Sequence, residues 1–251
     1  MLSLRKGRYA ARLAETPGDL LAAQELRHRA FFGSRQPCTE DRDQDRFDAI
    51  CQHVLIRDRQ SGALVCCFRL LPLRGGDQIG KSYSAQFYGL DGLRDCKGPI
   101  LEMGRFCIDP GHKDPDILRV AWGAMTAYVD AKRVQLLFGC ASFRGTETGD
   151  YLDAFAMLKA RHLAPDRLLP AVKAENVFRF ARHLHRKPDV KKAMSTMPPL
   201  LRSYLSMGGW VSDHAVIDRE LNSLHVFTGL EISAIPPARA RLLRATASQS
   251  L

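Results

Sequence analysis

Charged residues with chemical potential stand in three places. In Leu101-Glu102-Met103-Gly104-Arg105-Phe106-Cys107-Ile108 a carboxylate and a guanidinium interrupt a run that otherwise reads as a buried strand, and charges inside a core need a partner or a purpose. Positions three apart on a regular strand face opposite ways, so Glu102 and Arg105 share a side only if the strand bulges, for which Gly104 is the natural place. A structural ion pair and an acid–base pair fit that pattern equally well. The second place is Glu40-Asp41-Arg42-Asp43-Gln44-Asp45-Arg46-Phe47-Asp48, which by itself reads as a solvated loop. The third is Arg69 in Phe68-Arg69-Leu70-Leu71-Pro72, a lone charge in an apolar strand and a counter-ion for Asp45, Asp48 or Glu102.

The elements that must position these residues follow from periodicity. Residues 8–15 fit a first edge strand, and Pro17-Gly18-Asp19 supplies a turn and cap for a helix running to about residue 32. Segments 53–59 and 63–73 flank Gln60-Ser61-Gly62 as a hairpin. Residues 82–95 fit a helix or a loop. Residues 100–108 form a strand stopped by Asp109-Pro110-Gly111, 116–132 a helix, 134–143 an almost wholly apolar strand, 150–162 a helix, and 211–217 and 223–232 late strands. Segment 176–187 interleaves aromatics with cations. Drawn as a helix, it puts Val177, Phe180, Ala181 and Leu184 on one face and Arg179, Arg182 and Arg186 on another; a packed surface helix with a solvated basic face and a dock for an acidic partner both fit. The order of elements predicts an α/β fold, a mixed central sheet flanked by helices, with an added C-terminal helical, basic segment. One domain is expected over residues 1–235, followed by a poorly ordered tail at 236–251.

Composition narrows the partners. The 251 residues carry 37 Lys and Arg against 27 Asp and Glu, a net charge of +10, which favours nucleic acid, an anionic bilayer or a small acidic protein. No nucleic-acid-binding signature is present and the cations are spread along the chain, so nucleic acid is the least expected of the three. Seven cysteines, with no C-x-x-C pair, read as reduced thiols of a cytosolic protein, Cys107 and Cys140 among them as small core residues. Eight histidines lack ligand spacing, so no metal is expected. With no secretory leader and no apolar run near the ~20 residues of a membrane span, any membrane contact is expected to be peripheral.

Taken together and in order, Arg27 and Phe31, Asp45-Arg46-Phe47-Asp48, Arg69-Leu70-Leu71-Pro72 and Glu102-x-x-Arg105-Phe106 resemble the signature of acyl-homoserine-lactone synthases, GNAT-fold enzymes that take acyl groups from acyl carrier protein. Leu101-Glu102-Met103-Gly104-Arg105, Leu137-Phe138-Gly139-Cys140-Ala141-Ser142-Phe143 and Pro198-Pro199-Leu200-Leu201-Arg202-Ser203-Tyr204-Leu205 are more similar to the ornithine-lipid N-acyltransferases, the hemolysin-like acyltransferases of the GNAT superfamily. This resemblance covers about residues 8–232. It implies transfer of a (3-hydroxy)fatty acyl group from acyl carrier protein to the α-amine of an amino acid, ornithine in most of the family. Glutamine, another amino acid or lactone synthesis are the alternatives.

An α-ammonium must lose a proton before it attacks a thioester, which casts Glu102 as general base and Arg105 as the residue that fixes its geometry. Asp45 and Asp48, with Arg69, Arg27 and Phe31, would hold the acceptor. A backbone N–H released at the bulge would meet the oxyanion, and Ser142 would either touch the acyl group or pack.

Acetyl-CoA-dependent GNAT enzymes cradle a pyrophosphate in a glycine-rich loop at a helix N-terminus. Here that stretch is Pro110-Gly111-His112-Lys113-Asp114-Pro115-Asp116, poor in glycine and acidic. A carrier-protein thioester presents a single phosphodiester and needs less of a cradle. Phe106, Cys107 and Ile108 along the strand, with His112, Lys113 and Arg119 beyond it, are the expected donor contacts. No tightly bound cofactor is expected, the phosphopantetheine thioester of acyl carrier protein serving as co-substrate. A cytoplasmic location is expected, with peripheral contact to the inner face of the membrane as an option.

Overall fold

The computed structural model describes residues 2–33 and 42–247, so Cys38, Glu40 and Asp41 lie outside the described residues. Along the chain run strands β1 (Ser3–Lys6) and β2 (Tyr9–Leu13), helix α1 (Pro17–Phe31), strands β3 (Gln52–Asp58), β4 (Leu64–Leu73), β5 (Tyr88–Gly89) and β6 (Ile100–Ile108), and helix α2 (Pro115–Lys132). Then follow β7 (Leu136–Arg144), α3 (Leu152–Arg161), β8 (Ala171–Val172), β9 (Val177–Phe178), α4 (Phe180–His183), α5 (Val190–Thr196), α6 (Pro199–Ser206), β10 (Trp210–Val211), β11 (Ala215–Asp218), β12 (Ser223–Glu231) and α7 (Pro237–Ala247). The chain forms two compact units. The first takes residues 1–72, 103–134 and 237–251, the second 73–102 and 135–236.

In the first unit the strand order is β1-β2-β3-β4-β6, antiparallel from β1 to β4. Helix α1 starts where it does because the Thr16 hydroxyl accepts from the Asp19 amide at 3.1 Å and Pro17 fills the first turn. Its Ala23 and Leu26, with Phe31 at its end, pack on Leu55, Leu64, Cys67 and Cys107 of the sheet. Asp114 caps α2, accepting from the Asp116 amide at 2.9 Å. Helix α7 fastens to α2 through Arg244, which reaches Asp130 at 2.9 and 3.1 Å.

The second unit has the order β6-β7-β12-β11-β9, with β10 also on β12. β6 and β7 run parallel, but their ladder is registered only from Ile100↔Leu136 to Glu102↔Phe138. β12, in contrast, follows all of β7 antiparallel. Ladder partners share a face and alternate residues change face, so Glu102, Phe138, Cys140, Ser142, His225 and Phe227 present to one side. On the other, Ala141, Phe143, Leu224 and Val226 pack with Phe155 and Leu158 of α3, Ala193 of α5 and Leu201 of α6, each large apolar side chain contributing ~1.5–3 kcal/mol by its burial.

Several expectations need correction. The first edge strand is β1, with Gly7 at φ 55° turning the chain into β2. Segment 176–187 is not one helix: Val177 and Phe178 pair with β11, and only Phe180–His183 is helical. A new helix begins at Val190 under the Asp189 cap, directly after Pro188. Strand 211–217 is broken into β10 and β11. The tail read as poorly ordered carries α7. The left-handed residue of β6 is Arg105, at φ 52°, and not Gly104.

Candidate active site

In the first unit, three aspartates and three arginines form one buried network. Arg27, at 1% exposure, reaches both carboxylate oxygens of Asp48 at 2.8 Å and Asp43 Oδ2 at 2.7 Å. Arg69, on β4, grips Asp45 with two bonds of 2.6 and 2.8 Å and reaches Asp48 Oδ1 at 3.0 Å. Arg105 bridges Asp43 at 3.0 Å and Asp45 at 3.2 Å. Gln24 of α1 donates to Asp48 Oδ2 at 3.0 Å. The loop holds its shape because Asp45 caps the single 3-10 turn Arg46–Ala49 and Asp48 closes the capping box.

The charges are therefore matched, and burial makes the matching obligatory. Burial alone would raise the Asp48 carboxyl; bonds from Arg27 and Gln24 and the charges of Arg27 and Arg69 outweigh it and hold that carboxyl well below the ordinary range. Asp45 is lowered likewise, against its burial, by Arg69 and Arg105. Arg27 is raised, the aspartates prevailing over its burial. His53, whose Nε2 lies 3.1 Å from the Asp48 carbonyl, is lowered chiefly by burial. Asp45 is the more open of the two candidate aspartates, at 21% side-chain exposure against 5% for Asp48.

Glu102 belongs to the second unit and is held differently. Its Oε2 accepts from the Tyr83 amide at 2.8 Å, and its Oε1 from the Ser84 amide at 2.7 Å and the Ser84 hydroxyl at 2.6 Å. Tyr83 and Ser84 open the 3-10 turn Ser84–Gln86, so two successive amides point at the carboxylate as at a small anion nest. The residue is buried, at 4% exposure. Burial raises the Tyr204 hydroxyl of α6, and the charge of Glu102 adds to the rise. Ser142 is exposed on β7, opposite buried His225.

The expected donor contacts are scattered along one stretch of the first unit. Phe106 stacks on Phe68 with centroids 5.7 Å apart. Cys107 is buried with its sulfur 3.6 Å from that of Cys67, and the bond to Cys67 and burial push its thiol up. Ile108 is half-buried and ends β6. His112 lies 3.5 Å from Asp109, Lys113 is exposed, and exposed Arg119 is paired with Asp116. The N-terminus of α2 is thus already faced by Asp114 and Asp116. Among the described residues no cluster of three or more metal-ligating side chains exists.

Sequence reasoning passed over Gln24, Asp43 and His53 in the network and Tyr83 and Ser84 around Glu102. Asp43 carried a signal, since it sits in the same acidic stretch; the amides of 83 and 84 carried none.

A family model described as an acetyltransferase (GNAT) domain matches residues 26–123. A protein of Rhodobacter capsulatus named L-ornithine N(alpha)-acyltransferase is 31% identical over 238 residues, 90% of this chain and 91% of that one. One of the same name from Brucella abortus is 32% identical over 256 residues, 92% of this chain and 87% of that one. Among solved structures, the AHL synthase LasI is similar over 89% of this chain and 91% of its own, at 17% identity and a TM-score of 0.42. FeeM, an N-acyl amino acid synthase, is similar over 91% and 93%, at 11% identity and a TM-score of 0.49. With identities of 31% and 32% over nine-tenths of its length, the chain belongs to the family of the L-ornithine N(alpha)-acyltransferases.

Proposed function

We propose that this protein acylates the α-amine of ornithine, taking a (3-hydroxy)fatty acyl group from the phosphopantetheine thioester of acyl carrier protein and releasing a lyso-aminolipid. The observation that carries this reading is the near-full-length similarity to two proteins of that name. Glu102 takes the ammonium proton, directly or through water, and the freed amine attacks the thioester carbonyl. The β6–β7 ladder ends at Glu102↔Phe138, and an amide released there is the candidate donor to the tetrahedral oxyanion. Collapse expels the thiolate, which leaves readily as the anion and takes up the second proton that the attacking nitrogen loses on becoming an amide. In the first unit Asp45 is the more open carboxylate of the network, and Arg69 and Arg105 fix its position.

Acyl carrier protein as donor is supported by the α2 N-terminus, where the carboxylates of Asp114 and Asp116 oppose a pyrophosphate. Arg119 is itself paired with Asp116 and His112 lies 3.5 Å from Asp109, which leaves exposed Lys113 as the strongest of the three candidate phosphodiester contacts.

A peripheral membrane contact is supported by α5, where Val190 and Met194 are 47% and 41% exposed beside exposed Lys187, Lys191 and Arg202. Each such cation is worth ~1 kcal/mol near an anionic surface. Among the described residues no helix is long and apolar enough to cross a membrane.

The test offers purified protein a 3-hydroxyacyl carrier-protein thioester and a panel of amino acids, with products weighed by mass spectrometry. N-acyl-ornithine is the expected product. A different acylated amino acid would reassign the acceptor, lactone from S-adenosylmethionine would move the chain to the synthases, and no acyl transfer at all would overturn the reading.

A further inference from the structure

Two methionines at α5, Met194 within the helix and Met197 as its C-terminal cap, stand in opposite settings. Met194 is 41% exposed, whereas Met197 is buried at 2% and packs in the core of the second unit. Met103, Met125, Met157 and Met207 are buried as well, at 6% or less. Among the described residues, a reagent that attacks thioethers from solvent therefore meets Met194 first.

The surroundings of Met194 give that sulfur a consequence. Val190, also exposed, stands one turn before it on the same side of the helix, and Lys187, Lys191 and Arg202 are exposed beside the two. Arg202 of α6 reaches the Met194 carbonyl at 3.3 Å, which ties the backbone of this ridge to the next helix. The apolar pair flanked by cations is the membrane contact proposed above. A thioether adds apolar surface there; a sulfoxide presents a strong dipole whose oxygen would enter the bilayer without a donor.

We propose that Met194 is an oxidation site whose modification loosens the membrane contact: a peroxide transfers one oxygen atom to the sulfur, the side chain becomes the sulfoxide, and the peroxide becomes water or an alcohol. The sulfur loses two electrons, the O–O bond of the peroxide breaks, and no other group of the chain takes part. Ala193 and Met197 keep the helix on the core, so binding is lost while the fold stays. The proposal rests on the membrane contact described above and is independent of the acyl-transfer chemistry.

The experiment treats the full chain with hydrogen peroxide and follows two readouts. Tandem mass spectrometry of the peptide that holds both methionines is expected to place the added oxygen on Met194 before Met197. Sedimentation with phosphatidylglycerol vesicles is expected to show an affinity about tenfold weaker after oxidation, the effect of one unpaired polar group carried into an apolar phase. Methionine sulfoxide reductases of both stereochemical types should restore binding, and dithiothreitol alone, which reverses the oxidation of thiols to disulfides, should not. In Met194→Leu, which keeps the apolar contact without the sulfur, peroxide should leave binding unmoved.

Oxygen arriving first on a buried methionine, an equal loss of binding in Met194→Leu, or recovery with dithiothreitol alone would overturn the proposal. A parent that does not sediment with the vesicles before any oxidation overturns the membrane contact itself, and with it the consequence assigned to Met194; the product assay for acyl transfer is untouched by either result.

Discussion

Two regions of this protein bury carboxylates and stabilise them by opposite means. Asp43, Asp45 and Asp48 are met by the guanidinium groups of Arg27, Arg69 and Arg105, so positive charge cancels negative. Glu102 is met by two backbone amides and a hydroxyl, dipoles that favour the anion without supplying a full countercharge. The first arrangement suits a rigid wall, because each group is fixed by two others and removing one strands its partners. The second fixes a carboxylate by the direction of three donated hydrogen bonds, two of them from the backbone. Ion pairs thus fix the aspartates of one unit, and donated hydrogen bonds fix Glu102 in the other.

The sharpest way to break this contrast is Glu102→Gln. Loss of a general base is expected to lower kcat by about 10²–10⁴-fold with the far-ultraviolet circular dichroism retained; retention of turnover would make Glu102 another structural anion. Next is Asp48→Asn in the network, expected to cost ~3 kcal/mol, read as a lower urea midpoint, since Arg27 and Arg69 lose a buried partner. An unchanged midpoint would show that the network does not hold the loop.

The pH dependence sharpens the same point. Asp48 and Asp45 have folded carboxyls below their ordinary range, so the stability they contribute is present above the unfolded value near ~4 and is lost as pH falls toward their folded values. Acid titration of stability should steepen below about pH 4 in the parent and flatten in Asp48→Asn. A smaller effect is expected from Asp45→Asn: the urea midpoint should fall by less than in Asp48→Asn, because Asp45 is the more exposed carboxylate and Arg69 keeps Asp48 while Arg105 keeps Asp43. The smallest belongs to Met194→Ser with Lys191→Glu, which should reduce sedimentation with phosphatidylglycerol vesicles and leave turnover of soluble substrates unaltered.

Much of the scaffold was readable beforehand, and the reasons are local. Helices α1 and α2 start within about a residue of where the pattern places them, although their caps are Thr16 and Asp114, and the apolar runs of β3, β4, β6, β7 and β12 locate the sheet. The charged network was half legible: Arg69 and Arg105 stand out as charges in apolar strands, Asp45, Asp48 and Arg27 came to notice through the family resemblance because the acidic stretch by itself reads as a solvated loop, and Gln24 and His53 carry no mark. The cradle of Glu102 was invisible, since backbone amides leave no mark on side-chain identity. Segment 176–187 misled because its spacing imitates one helix while Val177 and Phe178 pair with β11 and only Phe180–His183 is helical, and α7 was hidden behind Pro236-Pro237, which here opens a helix instead of preventing one.

Arg105 carries one further implication. Its backbone is left-handed, at φ 52°, a conformation that costs a side-chain-bearing residue ~1–2 kcal/mol and glycine almost nothing, yet its guanidinium is what links Asp43 to Asp45. The bend in the strand is therefore latched by charge and not eased by a missing Cβ. Glycine would relax the bend but discard the latch, and lysine would keep a cation but forfeit the two-pronged grip. Shape and electrostatics at this position are locked into one choice, so neither can drift without the other.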